Sequence, residues 1–146
     1  MRKNITLPFL LALGFLGTAV ASAQSADRLT IPVSGLRNDN GVVRCGLYAG
    51  AGGFPKAGQE SRGVIASIKG QRATCVFDGL AAGTYAVAAF HAENNETQMQ
   101  YGMFGKPKEG YGFSRNPSSR FGAPDFSAAA FDYQGGAMTV GIRLQY

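Results

Sequence analysis

The sequence predicts an all-β protein: a single seven-stranded antiparallel β-sandwich with a long aromatic, glycine-rich loop. Three observations predict it. Short apolar runs alternate with period two, the mark of half-buried strands. Turn signals separate those runs, with 21 glycines in 146 residues. No stretch of the mature part shows the 3.6-residue apolar period of an amphipathic helix. A wide-mouthed β-barrel is the competing architecture, and the chain has too few long alternating strands for it.

The first strand is read from Leu29, Ile31 and Val33, which alternate with Thr30, Pro32 and Ser34. Proline donates nothing to a ladder, so this strand is expected at a sheet edge. Asn38-Asp39-Asn40-Gly41 follows, and Asn-Gly favours a hairpin turn because both residues tolerate positive φ. The second strand spans Val42 to Tyr48, with Val43, Cys45 and Leu47 on one face. Gly50 to Gly63 reads as a loop. The third strand is about Val64 to Lys69, and Gly70-Gln71 turns the chain into a fourth, Ala73 to Phe77, with Ala73, Cys75 and Phe77 on one face. The fifth, Thr84 to His91, is apolar on both faces and is therefore central. From Ala92 to about Ser127 periodicity disappears. A long irregular segment in a compact domain is usually functional or disordered, and the aromatic side chains in this one argue against disorder. Ala128 to Tyr133 is a short sixth strand. The seventh is the clearest, with Met138, Val140, Ile142, Leu144 and Tyr146 alternating with polar or small residues.

The N-terminus predicts the compartment. Arg2 and Lys3 precede an apolar run from Ile5 to Val20, and Ala21-Ser22-Ala23 supplies a small-x-small cleavage pattern. This reads as a secretory signal over 1–23, leaving 24–146 as one domain in the periplasm or outside the cell. The run contains Pro8, Gly14 and Gly17 and is shorter than the ~20 residues a spanning helix needs, so no membrane span is expected after signal removal. The formal charge of +5 drops by two when Arg2 and Lys3 leave, and no Lys/Arg run remains. Neither nucleic acid nor an acidic lipid surface is an expected partner on this overall charge pattern.

The two cysteines, Cys45 and Cys75, sit at inward positions of their strands. In an oxidising compartment such a pair is most simply a disulfide. The absence of Cys-x-x-Cys spacing and the single histidine weaken redox and metal readings.

Phe77-Asp78-Gly79-Leu80-Ala81-Ala82-Gly83-Thr84-Tyr85-Ala86-Val87 resembles the turn and strand of prealbumin-like sandwiches, including collagen-adhesin B-type repeats. In that pattern glycines permit a tight entry while the tyrosine packs its ring and its hydroxyl reaches exposed backbone. Four further blocks cover nearly the whole mature chain: Val33-Ser34-Gly35-Leu36-Arg37-Asn38, Gly46-Leu47-Tyr48, Phe90-His91, and Gly105-Lys106-Pro107-Lys108-Glu109-Gly110-Tyr111-Gly112-Phe113-Ser114. Together they resemble domain of unknown function 2141, a family of secreted bacterial proteins. The resemblance implies an extracytoplasmic prealbumin- or immunoglobulin-like β-sandwich and no particular activity. Family members often carry an acidic loop after the central strand that resembles a calcium loop. Here Ala92 and Gln100 replace its first and last acids, leaving Asn94 and Glu96 as possible oxygen ligands and a poor cage for calcium. No cofactor is implied.

The candidate site gathers around the end of the fifth strand: His91, Glu93, Glu109, Tyr111 and Ser114. His91 is a possible general base, yet a histidine ending a central strand more often hydrogen-bonds a neighbouring loop. Ser114 lacks a nucleophile elbow, since Gly112-Phe113-Ser114-Arg115-Asn116 is not Gly-x-Ser-x-Gly. Tyr101, Phe104, Tyr111 and Phe113 offer either a binding surface or a lid that folds back on the sandwich. The expected function is an exported, non-catalytic binding or accessory module for an envelope component, a carbohydrate or a protein. The alternatives are a small periplasmic hydrolase or metal-dependent enzyme centred on His91 and Glu109, and a structural envelope protein.

Overall fold

The computed structural model describes residues 26–119 and 122–146, so the secretory signal read at 1–23 lies outside the described residues. The chain forms β1 (Arg28–Ser34), β2 (Val42–Tyr48), β3 (Arg62–Ser67), β4 (Ala73–Asp78), β5 (Gly83–Ala92), β6 (Tyr111–Phe113), β7 (Phe131–Tyr133), β8 (Ala137–Thr139) and β9 (Ile142–Arg143). Among the described residues helix is limited to one turn, α1 (Phe126–Ala129), and a 3-10 turn at Met103–Gly105. No described helix is long and apolar enough to cross a membrane.

The strands form two sheets. One has the order β4-β1-β8, with β9 also pairing β1; the other has the order β3-β2-β5-β6, with β7 also pairing β5. Leu29, Ile31, Val33, Ala73, Cys75, Phe77, Ile142 and Leu144 from the first meet Val43, Cys45, Leu47, Val87 and Ala89 from the second in one core. Period-two alternation is what places them there, because every second side chain faces the opposite sheet. A disulfide joins Cys45 to Cys75 across the two sheets, with Cα atoms 6.5 Å apart. At one edge the sheets are also hydrogen-bonded to each other, through reciprocal Tyr111 and Gln145 backbone bonds of 2.9 Å.

Four expectations need correction. Among the described residues the strands number nine, and the first sheet is mixed rather than antiparallel, because β8 and β9 run parallel to β1. Alternation looks the same in either direction, so sequence pattern is blind to this difference. Second, β1 is not an edge strand: it lies between β4 and the β8/β9 pair. Thr30 and Ser34 accept bonds from Val140 and Leu144, so the even-numbered residues of β1 address β8 and β9. Pro32 therefore turns its missing N–H toward that side, and the partner strand is interrupted there, between Thr139 and Ile142. The same interruption divides the expected seventh strand in two. Third, the segment after Ala92 is not wholly irregular, since Tyr111–Phe113 pairs with Ala88–Phe90 of β5. Fourth, the expected sixth strand begins three residues late, at Phe131, because the chain first makes the turn of α1.

The Gly-Leu-x-x-Gly-x-Tyr turn behaves as its pattern implies. Gly79 adopts φ of 64°, and the Tyr85 hydroxyl donates to the Ala81 carbonyl at 2.8 Å. β5 is apolar on both faces: Val87 and Ala89 enter the main core, while Ala86 joins Phe113 and Ala129 in a second cluster on the outer face. Phe54, Tyr111 and Phe126 pack against that cluster.

Candidate functional site

His91 ends the inward face of β5, in line with Val87 and Ala89, and is fully buried. Its backbone N–H donates to the Gly110 carbonyl at 2.8 Å, which ties β5 to the start of β6. Nε2 lies 2.7 Å from the Asn40 carbonyl. A carbonyl only accepts, so Nε2 carries the hydrogen. Nδ1 lies 2.8 Å from the Tyr146 hydroxyl and in the neutral ring accepts from it. That hydroxyl in turn accepts the Arg37 backbone N–H at 3.1 Å. Burial, reinforced by the Glu93 charge, pushes the Tyr146 hydroxyl pKa above its ordinary value, so it stays protonated and able to donate.

One ion pair, Arg37 with Glu93, flanks this core. The Arg37 guanidinium grips Glu93 with both arms, at 2.5 and 3.0 Å, and lies 4.6 Å from the centre of the Tyr146 ring. The hydrogen bond from Arg37 holds the Glu93 carboxyl below its ordinary value and raises the guanidinium above its own. Glu93 approaches His91 Nδ1 to 3.7 Å. Gly110 packs directly beneath the Tyr146 ring, where a Cβ would collide with it. The β1–β2 turn, the end of β5, Gly110 and Tyr146 thus close one end of the fold around a histidine with no open ring nitrogen.

The remaining candidates do not join His91. The Glu109 side chain is buried and accepts the Gln100 backbone N–H at 2.8 Å. Among the described residues no ion pair links it to His91. Ser114 is also fully buried: its hydroxyl donates to the Ala129 carbonyl at 2.6 Å and accepts the Val87 N–H at 2.9 Å. Both roles of that hydroxyl are used in fixing α1 and β5. Tyr111 is half-buried, its ring 6.0 Å from that of Phe113. Asn94 donates through both its backbone and its side chain to the two oxygens of Glu96, at 3.0 and 2.9 Å. Among the described residues no three His, Cys, Asp or Glu side chains converge as a metal centre would require. A cleft of about 300 Å³ beside β1 and β9, bordered by Arg72, Asn116 and Arg143, contains neither a carboxylate nor a histidine.

The aromatic segment divides by role. Phe113 is buried and Tyr111 packs beside it, so these two act as a lid. Tyr101 and Phe104 do not. Residues 100–108 form a narrow finger whose sides are joined by bonds from Gly102 N–H to the Lys106 carbonyl at 2.8 Å and from Lys108 N–H to the Gln100 carbonyl at 2.9 Å. Its tip presents Tyr101, Met103 and Phe104 with 62, 80 and 97 % of their surface exposed. Phe104 adopts φ of 63°, a left-handed conformation that costs a side-chain-bearing residue roughly 1–2 kcal/mol. Glu109 anchors the finger's base through Gln100.

The family model described as "Uncharacterized protein conserved in bacteria (DUF2141)" matches residues 31–141. The chain belongs to the DUF2141 family. No curated protein and no solved structure matches it. In this DUF2141 chain, three of the four sequence blocks noted above meet around His91: the block holding Arg37, the Phe90-His91 pair and the block holding Gly110. Sequence reasoning missed Arg37, Asn40 and Tyr146 as partners of His91. The signal was available for Tyr146, which shares the inward register of Ile142 and Leu144 as His91 shares that of Val87 and Ala89.

Proposed function

We propose that the protein is an exported, non-catalytic binding or accessory module, working in the periplasm or outside the cell, and that the finger between β5 and β6 is its contact surface. One observation carries the reading. A rigid base formed by Glu109, Gln100 and the His91–Tyr146 network supports a tip whose largest side chain, Phe104, is 97 % exposed. A left-handed Phe104 backbone costs stability and its exposed ring gains none from packing, and features of both kinds concentrate where a contact is made. The commitment of both His91 nitrogens and of the Ser114 hydroxyl to internal hydrogen bonds favours binding over catalysis. The disulfide favours an oxidising compartment.

The test compares retention on isolated cell envelopes for the natural protein and for a variant with Met103→Ser and Phe104→Ser. Both tip side chains are unpacked, so the variant should keep its melting temperature. The reading expects the variant to wash off and the natural protein to stay. Equal retention would exclude the finger as the contact surface.

A further inference from the structure

The twelve residues from Thr97 to Lys108 carry two lysines and no carboxylate. Lys106 and Lys108 are exposed beside the apolar tip. The flanking acids are occupied, Glu96 by Asn94 and Glu109 by Gln100. The finger is therefore an apolar point with two exposed lysines beside it, neither in an ion pair among the described residues. Resting on the binding-module reading, we infer that its ligand is an anionic lipid surface, with Met103 and Phe104 entering the acyl boundary, Tyr101 at headgroup depth and the two lysines on phosphates.

Three features favour lipid over a protein partner. The tip is convex and offers only three large side chains, well below the ~800 Å² per partner of a stable protein interface. A bilayer asks for less, since a few apolar groups together with basic ones are enough for interfacial binding. The tip also satisfies part of its own backbone, through Gly102 N–H to the Lys106 carbonyl and Gly105 N–H to the Gly102 carbonyl at 3.3 Å, which lowers the cost of leaving water. Tyrosine at headgroup level and lysines reaching outward match the known preferences of those side chains at an interface.

The chain contains no tryptophan, so Phe104→Trp places a single reporter at the tip. It is titrated with vesicles of phosphatidylglycerol and phosphatidylcholine in equal parts, and with pure phosphatidylcholine. The F104W protein should shift its emission to shorter wavelength on the anionic vesicles and be quenched by brominated acyl chains there. Adding Lys106→Gln and Lys108→Gln should weaken partitioning about 30-fold, from about fivefold per lysine near an anionic surface. Adding Met103→Ser should weaken it about tenfold. All proteins are compared in the exported form, without the signal read at 1–23, so that no other apolar run drives partitioning and the reporter reads the tip. Emission unchanged on both vesicles, or equal partitioning into both, overturns the lipid inference. If the vesicles leave the reporter silent while intact envelope preparations shift it, the lipid assignment falls and the binding-module reading stands. Silence on both removes both.

Discussion

Reducing the Cys45–Cys75 bridge should lower stability by an amount set by the loop it closes. The two residues are 30 apart in sequence. The chain-entropy relation then gives about 12 cal/mol/K, or roughly 3.6 kcal/mol at 25 °C, from the added freedom of the unfolded chain. For a domain of this size each 1 kcal/mol moves the melting temperature by about 3–4 °C, so reduction should lower it by roughly 10–15 °C. The assay is thermal unfolding followed by far-ultraviolet circular dichroism, with and without a thiol reductant, and thiol titration to verify reduction. A second comparison separates crosslink from packing. Both cysteines are buried in the main core, so reduced protein keeps two sulfurs where Cys45→Ala with Cys75→Ala leaves small cavities. The double variant should therefore melt below the reduced protein by a further ~1 kcal/mol or more. Fully reduced protein that melts together with the oxidised form would refute the reasoning, because the bridge would then constrain nothing in the unfolded chain.

Other consequences of the structure can be measured as directly. Ser114→Ala strands the buried Val87 N–H and Ala129 carbonyl and should cost about 2–4 kcal/mol in urea unfolding; a loss below the usual surface-substitution range of about 0.5 kcal/mol would contradict the assigned hydrogen bonds. Tyr146→Phe keeps the ring beside Arg37 but removes the hydroxyl that serves His91 and the Arg37 N–H, and is expected to cost about 1–3 kcal/mol by the same assay. Because Glu93 has its pKa depressed by Arg37, its contribution is complete above the ordinary value of 4.5 and is lost as pH falls through the depressed folded-state value. The stability gap between natural protein and Glu93→Gln should be constant near neutrality and close in that acid range. A gap independent of pH would show that the ion pair contributes nothing.

Much of the scaffold was legible because it depends on local rules. Val42 to Tyr48 is a strand with the expected bounds, yet the hairpin signalled by Asn40-Gly41 does not form: β1 and β2 lie in different sheets, and of the two turn residues only Gly41 takes positive φ. The cysteine pairing followed from register, since both residues faced the core. The Tyr85 hydroxyl found backbone, as its turn pattern implied. The errors share a cause, which is that long-range pairing overrides local signals. Pro32 pointed to an edge, yet an interruption in a strand more than 100 residues further along the chain makes room for it. β6 has only three residues and no alternation of its own, and Gly112 fits there because Ile142 and Arg143 press against it. Within the site, His91 and Glu93 were expected in one ligand-binding set, and the structure places Glu93 3.7 Å from His91 Nδ1 at the end of β5. Their partners Arg37 and Tyr146 are 109 residues apart, and nothing local announces that they meet. The exposure of Phe104 was equally hidden, because a phenylalanine among glycines reads the same whether it folds inward or projects.

The finger is bonded at its base, while the side chains of its apex are largely exposed. Natural variation there would leave the folding of the molecule almost untouched, so the three apex positions can drift or be selected independently of everything beneath them. Such a device resembles an interchangeable tool on a fixed handle. Grafting a different apex between Gly102 and Lys106 should yield proteins that fold alike and grasp different things.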